Sequence, residues 1–373
     1  MEKHFYEQLK IENFRGIKSL EINDLARINL FVGRNNCGKT SVLEAAFLLI
    51  GMSRPGLLFS IENRRGLVLN ESSDWKNFFY DQKHNEGFRL SGRQNIESRE
   101  LNVVPVYGDF DVGQVASTLS NSGDMIRDGD TIKPTIFSTA TEQSLIGLKF
   151  EFVLWSHVEK KDQKDRQHEA IIRFAESKSG DPELYLEEDK EYEEAAQAGF
   201  LQHDSYYSNS VDRMLNEKRK DVILNWLQFI EPKVQDIRTG TSGVVMVDIG
   251  MDSFLPINHL GDGIVRILNI LSSIYSVRNG ILMIDEVENG LHVSSIKYMW
   301  DMVLESSKQN NTQIFMTTHS SDVIKSLSLA LQDKADSVAC FWLSKFDDDR
   351  VKAYRYSPDD LDNALDVGID IRH

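Results

Sequence analysis

The residues with the clearest chemical purpose are Gly33-Arg34-Asn35-Asn36-Cys37-Gly38-Lys39-Thr40, which have the G-x-x-x-x-G-K-T spacing of a phosphate-binding loop. Glycines at the two ends let the backbone turn its N–H groups inward around a β-phosphate, and a helix starting there adds the positive end of its dipole. Nucleotide contacts are therefore expected from Gly33, Asn35, Asn36, Gly38, Lys39, Thr40 and Ser41. Lys39 would reach the β- and γ-phosphates, and Thr40 would hold Mg²⁺. A second group is Asp285-Glu286, directly after the apolar run Ile281-Leu282-Met283-Ile284. Asp285 is expected on the same Mg²⁺, through water or Thr40, and Glu286 is the candidate general base for an attacking water. A third is Thr317-Thr318-His319-Ser320 at the end of a further apolar run, where His319 can contact the γ-phosphate. Taken singly, the loop has the alternative of a chance Gly-rich turn and the Asp-Glu pair that of structural carboxylates. Together the three point to ATP and Mg²⁺ as ligands and to hydrolysis as the reaction.

Each group needs an element to carry it. Ile28 to Val32 reads as an apolar strand and Ser41 to Leu49 as a helix, so the loop has the strand-loop-helix context that its chemistry requires. Ile281–Ile284 and Gln313–Thr317 read as buried parallel strands. Their carboxyl ends, where ligands of open α/β sheets sit, deliver Asp285-Glu286 and His319. Upstream, residues 9–14 and 17–22 alternate as two strands with Gly16 at the turn. Arg15 at that turn has two readings, a contact with the base or ribose of ATP and a surface arginine on a hairpin. Ile264 to Leu271 is apolar nearly all round, which predicts a helix buried in a three-layer core.

Between these parts the chain is less explicit. Asp74 to Tyr80 packs enough aromatics for a small core element, and residues 111–142, rich in Ser, Thr, Gly and Asp, suggest a long surface loop. Residues 146–154 and 168–174 read as two antiparallel strands joined by the charged stretch Glu159 to Arg166. An acidic run from Asp181 to Glu194 reads as merging into a helix with a solvated face, with a cation or a basic partner as the other reading. Val211 to Ile230 has a 3.6-residue apolar period and is expected as one helix stopping at Pro232. The chain of 373 residues can hold two or three compact units, and its net charge of -16 argues against a surface built throughout for polyanions. DNA is possible on a restricted patch but not indicated by charge. Two cysteines, Cys37 and Cys340, make a disulfide framework an unlikely design and fit a reducing cytoplasm. Cys37 reads as a small residue at a variable loop position, with a reactive thiol as its alternative. No apolar run approaches the roughly 18 residues that span a bilayer, and the N-terminus lacks a signal-peptide core, so a cytoplasmic protein without a membrane anchor is expected.

The order of phosphate loop, long intervening segment, Leu260-Gly261-Asp262-Gly263 before a buried helix, Ile284-Asp285-Glu286-Val287-Glu288-Asn289-Gly290-Leu291-His292, and Thr317-Thr318-His319-Ser320 resembles an ABC-type ATPase head. It is most similar to the stand-alone ATPases of the overcoming-lysogenization-defect (OLD) group and their anti-phage relatives, and more distantly to RecF and SMC heads. The resemblance covers about residues 5–51 and 244–345, with the final Gly368 to Arg372. It implies an α/β fold: a mixed sheet flanked by helices, with a long α+β insertion. The expected division is 1–55 for the first part of the head, 56–240 for the insertion and 241–373 for the second part.

By this pattern Gly261, Asp262 and Gly263 stand at the signature motif and would contact ATP bound to a second subunit, with Asn289 to His292 at the D-loop position. The implied assembly is a homodimer, or a higher homo-oligomer, closed around ATP. Gly261 where transporters have Ser, and Ile264 where they have Gln, imply slow hydrolysis. A Q-loop glutamine is not evident, Gln143 being the nearest candidate. OLD nucleases also carry a Toprim domain with a Glu and an Asp-x-Asp pair; the 54 residues after His319 are expected to be too few for one. Asp347-Asp348-Asp349 reads as a hairpin turn. The expected function is an ATPase that senses and scaffolds, controlling a separately encoded effector in anti-phage defence. The alternative is a RecF- or SMC-like ATPase that clamps DNA in repair.

Overall fold

The computed structural model describes residues 6–51, 54, 56–67, 69, 72–94, 97–108, 144–158, 161–176, 182–188, 198–201, 208–240, 243–331, 337–346, 348–357 and 360–361. The expected loop at 111–142, Gln143 and the last residues of the resemblance lie outside this set.

The apolar runs singled out above become the centre of a sheet. Strands β1 (Gln8–Phe14), β2 (Ile17–Ile22) and β3 (Ile28–Val32) open the chain, and β3 feeds the phosphate loop and helix α1 (Lys39–Gly51). After helix α2 (Leu57–Arg64) come β4 (Phe88–Arg93), β5 (Glu97–Gly108), β6 (Ser144–Val158), β7 (Lys161–Glu176), β8 (Pro182–Glu188) and β9 (Ala198–Leu201). Helices α3 (Ser208–Asn216) and α4 (Lys220–Ile230) follow, then the short strands β10 (Asp236–Thr239), β11 (Val245–Asp248) and β12 (Leu255–Pro256). The chain continues through α5 (Asp262–Ser276), β13 (Ile281–Ile284), α6 (Val293–Gln309), β14 (Gln313–Thr317) and α7 (Ser321–Leu331), and β15 (Val338–Lys345) and β16 (Val351–Tyr356) form a terminal hairpin.

Among the described residues these strands form three sheets. The functional sheet has the order β16-β15-β3-β14-β13-β9, parallel except for β16. Every residue of β3, β13 and β14 is buried, which is why they read as continuous apolar runs rather than alternating ones. Alternation is still present in the packing. Phe31 faces the core shared with α1 and the antiparallel sheet, while Ile28, Leu30 and Val32 face the core under α5, α6 and α7. Because β14 lies between β3 and β13, the ends of all three strands meet on one edge.

The second sheet is antiparallel, in the order β2-β1-β4-β5-β6-β7-β8. The proposed boundary at residue 55 therefore does not follow the hydrogen bonding, since β4 pairs with β1 from Gln8↔Arg93 to Glu12↔Arg89. Nor does the boundary at 240, since β9 pairs in parallel with the Asp285 strand, from Ala198↔Ile281 to Leu201↔Ile284. Residues 56–240 do not stand apart from the head but contribute strands to all three sheets.

Three further expectations change. The charged stretch Glu159 to Arg166 is mostly strand: β7 starts at Lys161 and pairs Lys161 with Val158, Asp162 with His157 and Lys164 with Trp155. Its charges sit on a hairpin rather than in a connection. The described first part of the acidic run, residues 182–188, is strand β8, paired with β7; Asp181 and residues 189–194 lie outside the described set. The helix expected from Val211 to Ile230 is two helices. Lys218 takes a left-handed backbone (φ 59°), and Glu217 is held by Arg213, Tyr275 and Arg278 at the break. The aromatic element near Trp75 is a 3₁₀ turn, Ser72–Phe78, with Trp75 and Phe78 fully buried.

Candidate functional site

The loop begins where β3 ends. Gly33 has φ 145°, and a Cβ there would come within 2.5 Å of the Leu343 carbonyl oxygen on β15, so only glycine lets the chain turn this close to the neighbouring strand. Lys39 is buried and donates to the carbonyls of Gly33 (2.8 Å) and Arg34 (2.9 Å), closing the loop on itself. Burial pushes the Lys39 ammonium below its usual pKa, opposed by Cys37, Asp285, Glu288 and Glu286. The Cys37 thiol, also buried, is pushed up, and a neutral thiol is the unreactive form.

At the ends of β13 and β14 the carboxylates are placed by backbone geometry. Thr40 Oγ1 donates to Asp285 at 3.1 and 3.3 Å, bringing the two expected Mg²⁺ ligands together. Thr317 Oγ1 donates to Asp285 Oδ1 at 2.5 Å and accepts the Glu286 N–H at 2.8 Å. Glu286 has φ 48°, a left-handed backbone that costs a non-glycine residue about 1–2 kcal/mol and is sustained by such contacts. Its carboxylate is exposed and accepts from Asn289 Nδ2 at 2.6 Å. Arg266, buried on α5, reaches the carbonyls of Asp285 (3.4 Å) and Glu286 (3.2 Å). Burial lowers its pKa to about 10, well above neutrality, so the guanidinium stays charged beside Glu288, Asp285 and Glu286. Glu288 Oε1 accepts the His319 N–H at 2.6 Å.

A cleft of about 660 Å³ collects nearly all of these groups. Asn35, Asn36, Gly38, Lys39, Thr40, Ser41, Glu286 and His319 line it. Gly33 and Asp285 stand behind this lining, Gly33 accepting from Lys39 and Asp285 from Thr40. Arg15 also lines the cleft, and the surface reading of it does not describe its side chain. Its side chain is 8% exposed, and the guanidinium is paired with Glu62 and, at 3.2 Å, with Glu44, and lies 4.5 Å from the Phe78 ring centroid. Arg15 is thus a buried residue in the cleft wall and not a surface arginine, and it braces the loop helix α1 through Glu44. Arg65 makes a two-pronged contact with the same carboxylate (2.7 and 3.0 Å). The hard oxygen donors Thr40 and Asp285 fit Mg²⁺, which characteristically takes one or two protein ligands and completes its shell with phosphate and water.

Sequence reasoning missed Thr317, Arg266, Glu288, Arg65 and Gln82. Gln82 lines the cleft with a left-handed backbone (φ 55°) and is a glutamine that a search for a Q-loop could have weighed. Arg266 had a visible signal as the single charge inside an apolar helix. Thr317 was visible as a hydroxyl ending a buried strand.

Gly261, Asp262 and Gly263 are not in this cleft. They line a second one, of about 420 Å³, with Ile230, Glu231, Leu260, Ile264, Gly290, His292 and Ser295. Gly261 has φ 101° and ψ 156°, a glycine-only conformation, and exposes the start of α5.

The fold and the first cleft define an ABC-type P-loop ATPase head. Residues 28–325 match the model of the family described as "AAA domain, putative AbiEii toxin, Type IV TA system". The chain belongs to that family. It is 23% identical over 354 residues to an "ATP/GTP phosphatase" of Helicobacter pylori, covering 88% of this chain and 89% of that protein. A stretch of 103 residues, 26% of this chain and 27% of the other, is 34% identical to the DNA replication and repair protein RecF of Idiomarina loihiensis. Among solved structures, an SMC head bound to the C-winged helix domain of ScpA covers 97% of this chain at 12% identity and a TM-score of 0.46. Among the described residues no helix is long and apolar enough to cross a membrane.

Proposed function

We propose that this protein hydrolyses ATP to ADP and phosphate, closes as a homodimer around the nucleotide, and uses that closure to control a separately encoded effector in anti-phage defence. The observation that carries the hydrolytic part is the convergence of Lys39, Thr40, Glu286 and His319 on one cleft, with Asp285 bonded to Thr40. The loop N–H groups and the start of α1 receive the β-phosphate. Lys39 exchanges its two neutral carbonyl acceptors for phosphate oxygens, a trade that favours the ligand because donor and acceptor are then both charged and of opposite sign. Thr40 and Asp285 would hold Mg²⁺, which neutralises charge on the β- and γ-oxygens when bound. Glu286 takes a proton from the water that forms the new bond to the γ-phosphorus, the bond to the β,γ-bridging oxygen breaks, and ADP leaves. His319 contacts the γ-phosphate. Gly261 to Gly263 of a second copy would supply N–H groups from the other side.

Support for the defence role comes from the family description, which names a putative toxin and a toxin–antitoxin system, while the phosphatase name of the Helicobacter relative supports the hydrolysis. The test is phosphate release by the purified protein with Mg²⁺-ATP, followed by the same assay for Glu286→Gln. Hydrolysis unchanged in that variant removes the general-base assignment. The RecF likeness over 103 residues favours DNA clamping as a second reading. Tight duplex binding with a steep salt dependence would move the balance toward it.

A further inference from the structure

Glu286 needs more than its own strand to hold it. A left-handed residue at the end of a parallel strand turns its carbonyl away from the sheet, and that carbonyl then requires a partner of its own. Two donors meet it, the Asn289 N–H at 3.0 Å from the following turn and, from a different element, Arg266. It is 4% exposed, and its Nη2 lies 3.2 Å from the Glu286 oxygen and 3.4 Å from the Asp285 oxygen. In an extended strand two successive carbonyls point to opposite sides, so one nitrogen within reach of both is a signature of the turned conformation at Glu286. On the other side of the same peptide, Thr317 accepts the Glu286 N–H. The glutamate backbone is therefore gripped by one residue from β14 and one from α5, the helix that starts next to Gly261.

We infer that Arg266 is a positioning residue for hydrolysis, fixing the backbone turn that aims Glu286 into the cleft and joining it to the helix that carries the Gly261–Gly263 loop. The inference rests on the reading of the cleft as an ATP-hydrolysing site. Arg266 lines neither cleft, so its loss should act on the rate and leave nucleotide affinity alone.

The experiment is a double-mutant cycle of Arg266→Met and Glu286→Gln in the full chain. It reads phosphate release at saturating Mg²⁺-ATP, KM, and the dissociation constant of a fluorescent ATP analogue. Arg266→Met is expected to lower kcat about 10- to 100-fold, less than the roughly 10²–10⁴ that loss of the general base itself costs, because the carboxylate is misaimed and not removed. KM and the analogue's dissociation constant should stay within about threefold, a small change on the affinity scale. Adding Arg266→Met to Glu286→Gln should lower the residual rate no further, and Arg266→Lys should restore part of the rate. A merely structural arginine would instead lower affinity along with rate and would add its cost in both backgrounds; either result overturns the inference, as does a kcat within twofold of the parent. If Arg266→Met does not fold, Arg266→Lys and Arg266→Gln carry the same cycle. Loss of rate in Glu286→Gln with none in a folded Arg266 variant defeats this inference alone. No loss in Glu286→Gln defeats the site reading beneath it.

Discussion

The two clefts are built from opposite materials. The first has Arg15, Lys39 and Arg65 among its lining residues, together with His319 and the polar side chains of the loop. The second has no lysine or arginine in its lining; it has Glu231, Asp262 and the bare glycines 261, 263 and 290. A triphosphate can be held by the first from one chain. The second offers backbone N–H groups at a helix start and too little charge to recruit a nucleotide alone, since a helix terminus contributes only about half an elementary charge. The difference favours the proposed reading, in which the glycine loop would meet a nucleotide that something else has already bound.

The sharpest way to break this division is at the hydrolytic carboxylate. Glu286→Gln should lower kcat by about 10²–10⁴ while ATP affinity is kept, because the amide retains the shape and loses the base. Steady-state phosphate release beside equilibrium ATP titration checks it. Lys39→Ala should have its effect on binding instead. Loss of one charge-assisted contact to phosphate is worth about 2–3 kcal/mol, roughly 30- to 150-fold in dissociation constant, measured by calorimetry.

The second cleft should answer differently. Gly261→Ala meets no atom within 4 Å, so its cost comes only from the backbone conformation at φ 101°, about 1–3 kcal/mol. It should leave monomer affinity for ATP within about twofold and remove ATP-driven association, read by light scattering.

The smallest effect is at the joint supporting the same helix. Tyr275 on α5, then Arg213 and Arg278, hold the Glu217 carboxyl down at about 2 from its usual 4.5. A depressed carboxylate stabilises the fold above its unfolded value and loses that contribution as pH falls toward the folded one. The melting temperature of Glu217→Gln should therefore lie below the parent at neutral pH. The gap should narrow from about pH 4.5 and close near pH 2.

What was legible in the sequence was local. Gly33 to Thr40, Asp285 and His319 each stand at the end of a short, wholly buried strand, and continuous burial leaves an unmistakable apolar run. The partnership of strands was not legible, because pairing between β4 and β1 joins residues about eighty positions apart and leaves no period in the chain. The sheet-edge strand β9 is four residues long, too short for any periodicity to appear. Arg15 was placed at the right turn but its ion pairs were not legible, since Glu44 and Glu62 belong to helices that only the tertiary fold brings beneath it. The break at Lys218 escaped for a related reason: apolar spacing continues across it, and the Tyr275 and Arg278 contacts that hold it lie far along the chain.

The proposed dimer requires that the second cleft find its nucleotide in another copy of the chain. The direct measurement is the molar mass of Glu286→Gln by sedimentation, with and without Mg²⁺-ATP, beside Glu286→Gln combined with Asp262→Arg. The account predicts a doubling of mass with ATP in the first protein and none in the second, with ATP bound equally by both. A Glu286→Gln protein that binds ATP and keeps its unliganded mass would contradict it.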